Sequence, residues 1–267
     1  MTTAAGGDGR HSRSFTRRTF LGELTAAALT TVAAPAAAKT GRSRGVRALA
    51  FDGFTAFDPR PIAGLTERLF PGKGRELFAT WRTRQFEYTW LRIVTHRYAD
   101  FWTVTEEALV FAANAAGVEL GDEPRRRLMD GYLQLTAYPG VKPALAALKE
   151  AGVRLAFLTN LTPRMLDAAI DSGGLHGLFE HRLSTDAIKS YKPDPRAYQL
   201  GVAAFGLAND QIGFVAAGGW DAAGAKSFGY PTFWVNRSGQ PVEELGVRPD
   251  GIGSDLNDLV SFVRSRR

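Results

Sequence analysis

Cysteine is absent from the 267-residue chain. Its absence excludes disulfides, thiolate metal sites and a cysteine nucleophile together, and leaves the compartment open. Histidine is scarce. His11, His96, His176 and His181 are the four present, and they show no ligand spacing, so they read as surface or packing residues. Net charge is +6, yet no block of Lys and Arg is interleaved with aromatics. A nucleic-acid partner is therefore not expected, and the basic balance reads as a mildly cationic surface. A cationic cleft in such a surface would still favour a small anionic substrate. No internal repeat or low-complexity segment follows residue 45. With 45% hydrophobic and 22% charged residues, the chain has an ordinary globular composition. Its length suits one large core with an insertion, or two small domains.

The N-terminus reads as an address. Thr16-Arg17-Arg18-Thr19-Phe20-Leu21 precedes an alanine-rich apolar stretch that ends Ala34-Pro35-Ala36-Ala37-Ala38. A basic region, a short apolar region and an Ala-x-Ala end make a signal peptide. The paired arginines followed by Phe-Leu resemble a twin-arginine signal over residues 1–38. That predicts export by the twin-arginine route to a periplasmic or extracellular location. The stretch is short and interrupted by Gly22 and Glu23, so no membrane span is expected once it is removed.

Five short apolar runs read as strands: Arg47–Asp52, Arg154–Thr159, His181–Ser184, Gly213–Ala217 and Thr232–Asn236. Helical patterns separate the later ones. Val141–Ala151 follows Pro139-Gly140, and Thr162-Pro163 offers an N-cap with proline at the first helical position, opening a helix to about Ser172. Pro195–Phe205 and Ala222–Phe228 complete the set. Alternating strands and helices predict an α/β fold with a doubly wound parallel sheet. The stretch 58–138 breaks that rhythm. It is helical in pattern and rich in aromatics, among them Phe70, Phe78, Trp81, Phe86, Trp90, Phe101 and Trp102. It is too long for an ordinary crossover. We read it as a helical cap inserted after the first strand, with the α/β core formed by 45–57 and 139–267.

Four polar stations fall in order along this frame: Asp52, Thr159-Asn160, Lys192-Pro193-Asp194 and Trp220-Asp221. Three of them stand at or just after a strand pattern, where open α/β sheets bind ligands. Taken alone, Asp52 is a nucleophile, a metal ligand or a turn residue. An ammonium such as Lys192 beside it would favour the ionised carboxylate. A hydroxyl and an amide at Thr159-Asn160 suit an anion, and Asp221 adds a second carboxylate for water activation.

The ordered set resembles the haloacid dehalogenase superfamily, and within it the type II 2-haloacid dehalogenases, over residues 45 to 265. Trp81-Arg82-Thr83-Arg84-Gln85-Phe86-Glu87-Tyr88-Thr89-Trp90-Leu91, Tyr191-Lys192-Pro193-Asp194 and Trp220-Asp221-Ala222-Ala223-Gly224-Ala225 carry the resemblance. It implies hydrolysis without a metal or cofactor. Asp52 would attack C2 of a small anionic 2-haloacid, and water would release a 2-hydroxy acid from the aspartyl ester. The same resemblance implies that Arg82 and Asn160 receive the halide and that Thr159 helps hold the substrate carboxylate. Lys192 would pair with Asp52, Tyr198 would support that area, and Asp221 would orient or deprotonate water. Phe54, Phe86, Phe101 and Trp220 would wall the carbon chain. A homodimer is a further expectation.

The chain departs from the family in three places. The loop after Asp52 is one residue short, which moves Thr55 one place early and leaves Ala56 at the usual threonine spacing. Ala216 and Gly218 stand where a serine and an asparagine are usual. Loss of one positioned donor costs about 10²–10³ in rate, so a carboxylate-binding relative without turnover is the alternative reading. A phosphatase of the same superfamily is less favoured. Phe54 stands where such enzymes carry a second Asp, and Ala216 stands about where they carry an acid for Mg²⁺.

Overall fold

The first strand, β1 (Ala48–Phe51), is buried on both faces and divides its side chains between two cores. Leu49 and Phe51 enter one, Ala48 and Ala50 the other. Successive side chains on a strand point to opposite faces, and the other central strands alternate in the same way. The computed structural model describes residues 45–266, so the predicted signal segment 1–38 lies outside the described residues.

The remaining strands are β2 (Phe57–Asp58), β3 (Thr136–Ala137), β4 (Arg154–Thr159), β5 (His181–Ser184), β6 (Ile212–Ala216), β7 (Thr232–Val235) and β8 (Gly251–Gly253). Six form one sheet in the order β5-β4-β1-β6-β7-β8, with every pairing parallel. The chain builds outward from β1 through β4 to β5, then returns to the other side of β1 at β6. The C-terminal ends of β1, β4 and β6 thus meet at the switch in winding, where a crevice opens. This is the doubly wound α/β sheet expected from the strand and helix alternation.

Helices α1 (Gly53–Ala56), α2 (Arg60–Leu69), α3 (Gly74–Val94), α4 (Phe101–Ala116) and α5 (Asp122–Asp130) precede β3. Helices α6 (Val141–Glu150), α7 (Pro163–Gly173), α8 (Pro195–Phe205), α9 (Gly219–Phe228) and α10 (Leu256–Arg264) follow it. The short antiparallel pair β2–β3 ties together the chain entering and leaving the α2–α5 stretch. Within that stretch, Leu77, Trp81, Gln85 and Thr89 form a buried stripe at four-residue spacing along α3, which is one face of a helix. The stripe is partly polar and is satisfied by α4: Trp81 Nε1 donates to the Thr105 carbonyl at 2.7 Å, and Gln85 Nε2 donates to Thr105 Oγ1 at 2.5 Å.

Thr162 caps α7 as its Thr-Pro start predicts, accepting from Met165 N at 3.2 Å. Most element ends fall within a residue of expectation, and two differences bear on the site. Strand β1 stops at Phe51 because Asp52 turns to cap α1, accepting from Phe54 N, while its own N–H still donates to the Val215 carbonyl of β6 at 2.9 Å. Helix α9 begins at Gly219 rather than Ala222, because Gly218 takes the extended cap conformation (φ −109°, ψ 146°) and places Trp220 and Asp221 in the first turn.

Candidate active site

Asp52 ends β1 with its carboxylate fixed from two sides. Oδ2 accepts from Phe54 N at 3.1 Å, and Oδ1 accepts from Lys192 Nζ at 2.8 Å. Thr55 does not reach that carboxylate. Its hydroxyl donates to the Asp52 backbone carbonyl at 2.5 Å and clamps the turn.

Lys192 is fully buried between two carboxylates, its Nζ lying 2.6 Å from Asp221 Oδ2 as well as 2.8 Å from Asp52 Oδ1. Burial alone would push its pKa down, but the facing Asp221 and Asp52 charges outweigh that and hold it above the usual lysine value. Asp221 is pushed up to about 6, chiefly by burial and further by the Asp52 charge, against the opposing pull of Lys192. Tyr198 braces Asp221 from behind, donating to Oδ1 at 2.8 Å. Burial and the Asp221 charge drive the Tyr198 phenol well above its ordinary pKa, so it remains a donor. The approach of α9 to this cluster needs Gly224: a Cβ there would come 2.5 Å from Tyr198 Oη and 2.7 Å from Pro193 Cβ.

The Lys192 backbone N–H donates to Asn160 Oδ1 at 3.0 Å, and Thr185 Oγ1 donates to the same oxygen at 3.2 Å. This fixes the amide orientation. Asn160 Nδ2 is then buried with no partner among the described residues, a donor left free beside Asp52. Asp194 anchors the lysine loop, accepting from Ser190 Oγ at 2.6 Å while capping α8. Thr159, at the end of β4, is buried with its oxygen accepting from Leu161 N at 3.2 Å.

A cavity of about 320 Å³ opens onto Asp52 and Asn160. Phe54, Phe86 and Trp220 line it, and Arg82 reaches it from α3. The Arg82 guanidinium lies over the rings of Phe54 (4.6 Å) and Phe86 (4.9 Å) and donates to Gln85 Oε1. The buried α3–α4 polar stripe thus sets its direction. Phe101 is not on the cavity wall. It is fully buried as the first residue of α4, 6.2 Å from the Tyr191 ring. The apolar pattern of that stretch has a face for its own core as well as one for the cavity, and Phe101 lies on the former. Lys192, Asp221, Tyr198 and Thr159 stand behind the cavity surface, and Lys192 meets it through its contact with Asp52.

Pro59, Arg60, Tyr138, Val235, Arg237 and Ser238 also line the cavity, and sequence reasoning did not single them out. Arg237 follows β7, so the strand-end rule that marked Asp52 also marks it. At Gly218, a Cβ would meet Trp220 Nε1 at 2.8 Å. The indole therefore fills the space a side chain there would take, and restoring a polar residue at 218 requires Trp220 to move.

Asp221 offers a test by pH. Its folded pKa is raised above the ordinary aspartate value. Its contribution to stability is therefore present below that ordinary value and is lost as pH rises through about 6. Protonating it takes away one of the two carboxylates that hold Lys192. If catalysis uses the ionised cluster, kcat/KM falls as pH drops through about 6. Asp221→Asn should lower the rate about 10²–10⁴-fold and erase that limb. An unaltered acid limb in the variant would assign it to another group.

The chain is similar to known proteins along most of its length. A family model for haloacid dehalogenase-like hydrolases matches residues 25–229. The chain is 43% identical to the (S)-2-haloacid dehalogenase of Pseudomonas sp. (strain YL), over 82% of this chain and 95% of that protein. The crystal structure of the L-2-haloacid dehalogenase RSc1362 superposes with a TM-score of 0.81 at 44% identity, covering 82% of this chain and 99% of that one. The L-2-haloacid dehalogenase of Xanthobacter autotrophicus, with chloropropionic acid covalently bound, superposes with a TM-score of 0.78 at 33% identity, covering 83% of this chain and all (100%) of that one. With its parallel sheet, its strand-end carboxylate and its buried lysine, the chain belongs to the haloacid dehalogenase-like hydrolase family.

Proposed function

We propose that the protein hydrolyses the carbon–halogen bond of short 2-haloacids to 2-hydroxy acids. One observation carries this reading. A carboxylate fixed by a buried lysine opens into a cavity that is also lined by a guanidinium, Arg82, and by Asn160, whose buried amide nitrogen has no partner among the described residues. The first step forms a bond from an Asp52 carboxylate oxygen to C2 while the carbon–halogen bond breaks and the halide leaves with its electron pair. In-line attack inverts C2 and needs the reacting atoms about 3–3.5 Å apart. Arg82 and Asn160 Nδ2 receive the halide, and Phe54, Phe86 and Trp220 exclude water around the carbon chain. Water then adds to the ester carbonyl; as the ester C–O bond breaks, one of its protons passes to the departing oxygen and the other is released to solvent. The 2-hydroxy acid departs and the Asp52 carboxylate is restored. Lys192 orients Asp52 throughout, and Asp221 with Tyr198 orients Lys192. The relatives that carry the names (S)- and L-2-haloacid dehalogenase support the substrate class.

Halide release from (S)- and (R)-2-chloropropionate tests the proposal. Chloride from one or both enantiomers is expected. No chloride from either at high enzyme concentration, with saturable binding, would favour a carboxylate-binding protein, and Mg²⁺-dependent phosphate release would favour a phosphatase.

Export by the twin-arginine route belongs to the same proposal, supported by Arg17-Arg18 ahead of Phe20-Leu21 and by the alanine-rich stretch to Ala38. Replacing both arginines by lysine should retain the full-length precursor in the cytoplasm of an expressing bacterium. Unchanged export of that variant would rule the route out.

A further inference from the structure

Three arginines line the cavity, and they differ in how their charge is spent. Arg60 is chelated by Asp58, with Nε at 2.8 and 2.9 Å and Nη2 at 2.6 Å. Arg82 is assigned to the halide under the proposed reaction. Arg237 is left over. It stacks on Tyr138, its guanidinium carbon 3.8 Å from the ring centroid, and spends one N–H on the Thr55 carbonyl at 2.8 Å. A guanidinium has five N–H donors. The carboxylates whose charges act on it, Asp58 and Asp255, are committed elsewhere. Asp58 holds Arg60, and Asp255 caps α10 by accepting from Asn257 N at 2.7 Å and Asp258 N at 3.2 Å. No carboxylate pairs with Arg237 among the described residues.

Its position is also fixed relative to the reaction. Thr55, which accepts from Arg237, donates through both its N–H (3.1 Å) and its hydroxyl (2.5 Å) to the Asp52 carbonyl. The unspent charge is therefore one turn of chain from the nucleophile, on a wall made by Tyr138, Arg237 and Ser238. A cavity of about 320 Å³ has room for more than a three-carbon acid. In a 2-haloalkanoate the single carboxylate is bonded to the C2 that Asp52 attacks and stays at the Asp52–Asn160 end of the cavity, which leaves Arg237, on the Tyr138 wall, for a group further along the carbon chain. We infer that Arg237, on the Tyr138 wall, is a second carboxylate subsite and that the site takes 2-haloacids with a second carboxylate, the 2-haloalkanedioic acids. This rests on the proposed dehalogenation and specifies its substrate class.

The test compares racemic 2-chlorosuccinate with racemic 2-chlorobutyrate, which has the same carbon count and no second carboxylate. The wild-type protein should prefer the diacid in kcat/KM. In Arg237→Met the ratio of diacid to monoacid kcat/KM should fall about 10–100-fold, mainly through KM, and Arg237→Lys should keep part of it. Ser238→Glu leaves Arg237 in place and sets a competing carboxylate beside it. It should lower the same ratio, so the test does not depend on one variant folding. A ratio unmoved by these changes, or turnover of 2-chlorobutyrate with none of 2-chlorosuccinate, would overturn the inference. If neither acid releases chloride, the proposed reaction itself fails. The subsite is then judged by calorimetry with succinate and butyrate: succinate binding lost in Arg237→Met supports it, and absence of succinate binding to wild type overturns it.

Discussion

Asp52→Asn abolishes halide release, with kcat falling by at least about 10⁴-fold, the scale on which removal of a covalent nucleophile registers. The neutral amide cannot supply the oxygen lone pair that displaces the halide, although it keeps the shape of the side chain. The loss should fall on kcat far more than on binding, because Arg82, Asn160 and the aromatic wall are unchanged. A second readout follows from electrostatics. The Asp52 charge is one of the causes holding Asp221 at about 6. In the variant the Asp221 titration, followed by carboxyl NMR, should move down towards the ordinary aspartate value. Residual turnover within about tenfold of wild type would show that Asp52 is not the nucleophile. An unmoved Asp221 would show that the two carboxylates are not coupled as the geometry requires.

Lys192→Met is expected to be the most destabilising single substitution in the site. Its ammonium is the shared partner of two carboxylates, with its own side chain and that of Asp221 each only 1% exposed. Removing one partner of a buried ion pair costs about 3–5 kcal/mol, because the uncompensated charge stays behind. Activity should fall in parallel, since the Asp52 Oδ1 contact that aims the carboxylate is lost. The pH dependence has a definite sign. Burial already raises Asp221 to about 6, and the lysine opposes that rise. Without the lysine the folded pKa climbs further. The stability deficit then shrinks where Asp221 is protonated and grows as it ionises. Denaturant titrations should show a smaller gap to wild type at pH 5 than at pH 8. A gap that widens at low pH would contradict this account of the cluster.

Much of this site is legible in the chain because the polar residues follow strand-like apolar runs. Asp52 and Thr159-Asn160 converge because β1 and β4 are adjacent and parallel, and a run of four to six buried residues is easily read as a strand. Lys192 joins them through a loop that no periodicity marks; only its Pro-Asp context singles it out. Asp221 is placed by the first turn of α9 rather than by a strand end, since an alanine and glycine run does not show where a helix begins. Phe101 and Phe86 look alike in sequence, and only the packing of α3 on α4 decides that Phe86 meets the cavity while Phe101 meets Tyr191. Strands β2, β3 and β8 have two or three residues each, too few for an alternation to declare itself. Arg237 also follows a strand, β7, but its surroundings obscure it. Asn236-Arg237-Ser238-Gly239 has turn composition, and its significance emerges only when Tyr138 and Thr55, distant in sequence, are found against it.

In the proposed reaction Asp52 bonds to the substrate carbon rather than activating water. One turnover in H₂¹⁸O, with enzyme in excess over 2-chloropropionate, tests it most directly. Water attacks the ester carbonyl, so its oxygen remains on the carboxylate and the product carries off an old Asp52 oxygen. The expected result is ¹⁸O in the peptide containing Asp52 and none in the 2-hydroxy acid of that first turnover. Label in the product with an unlabelled Asp52 peptide would contradict it.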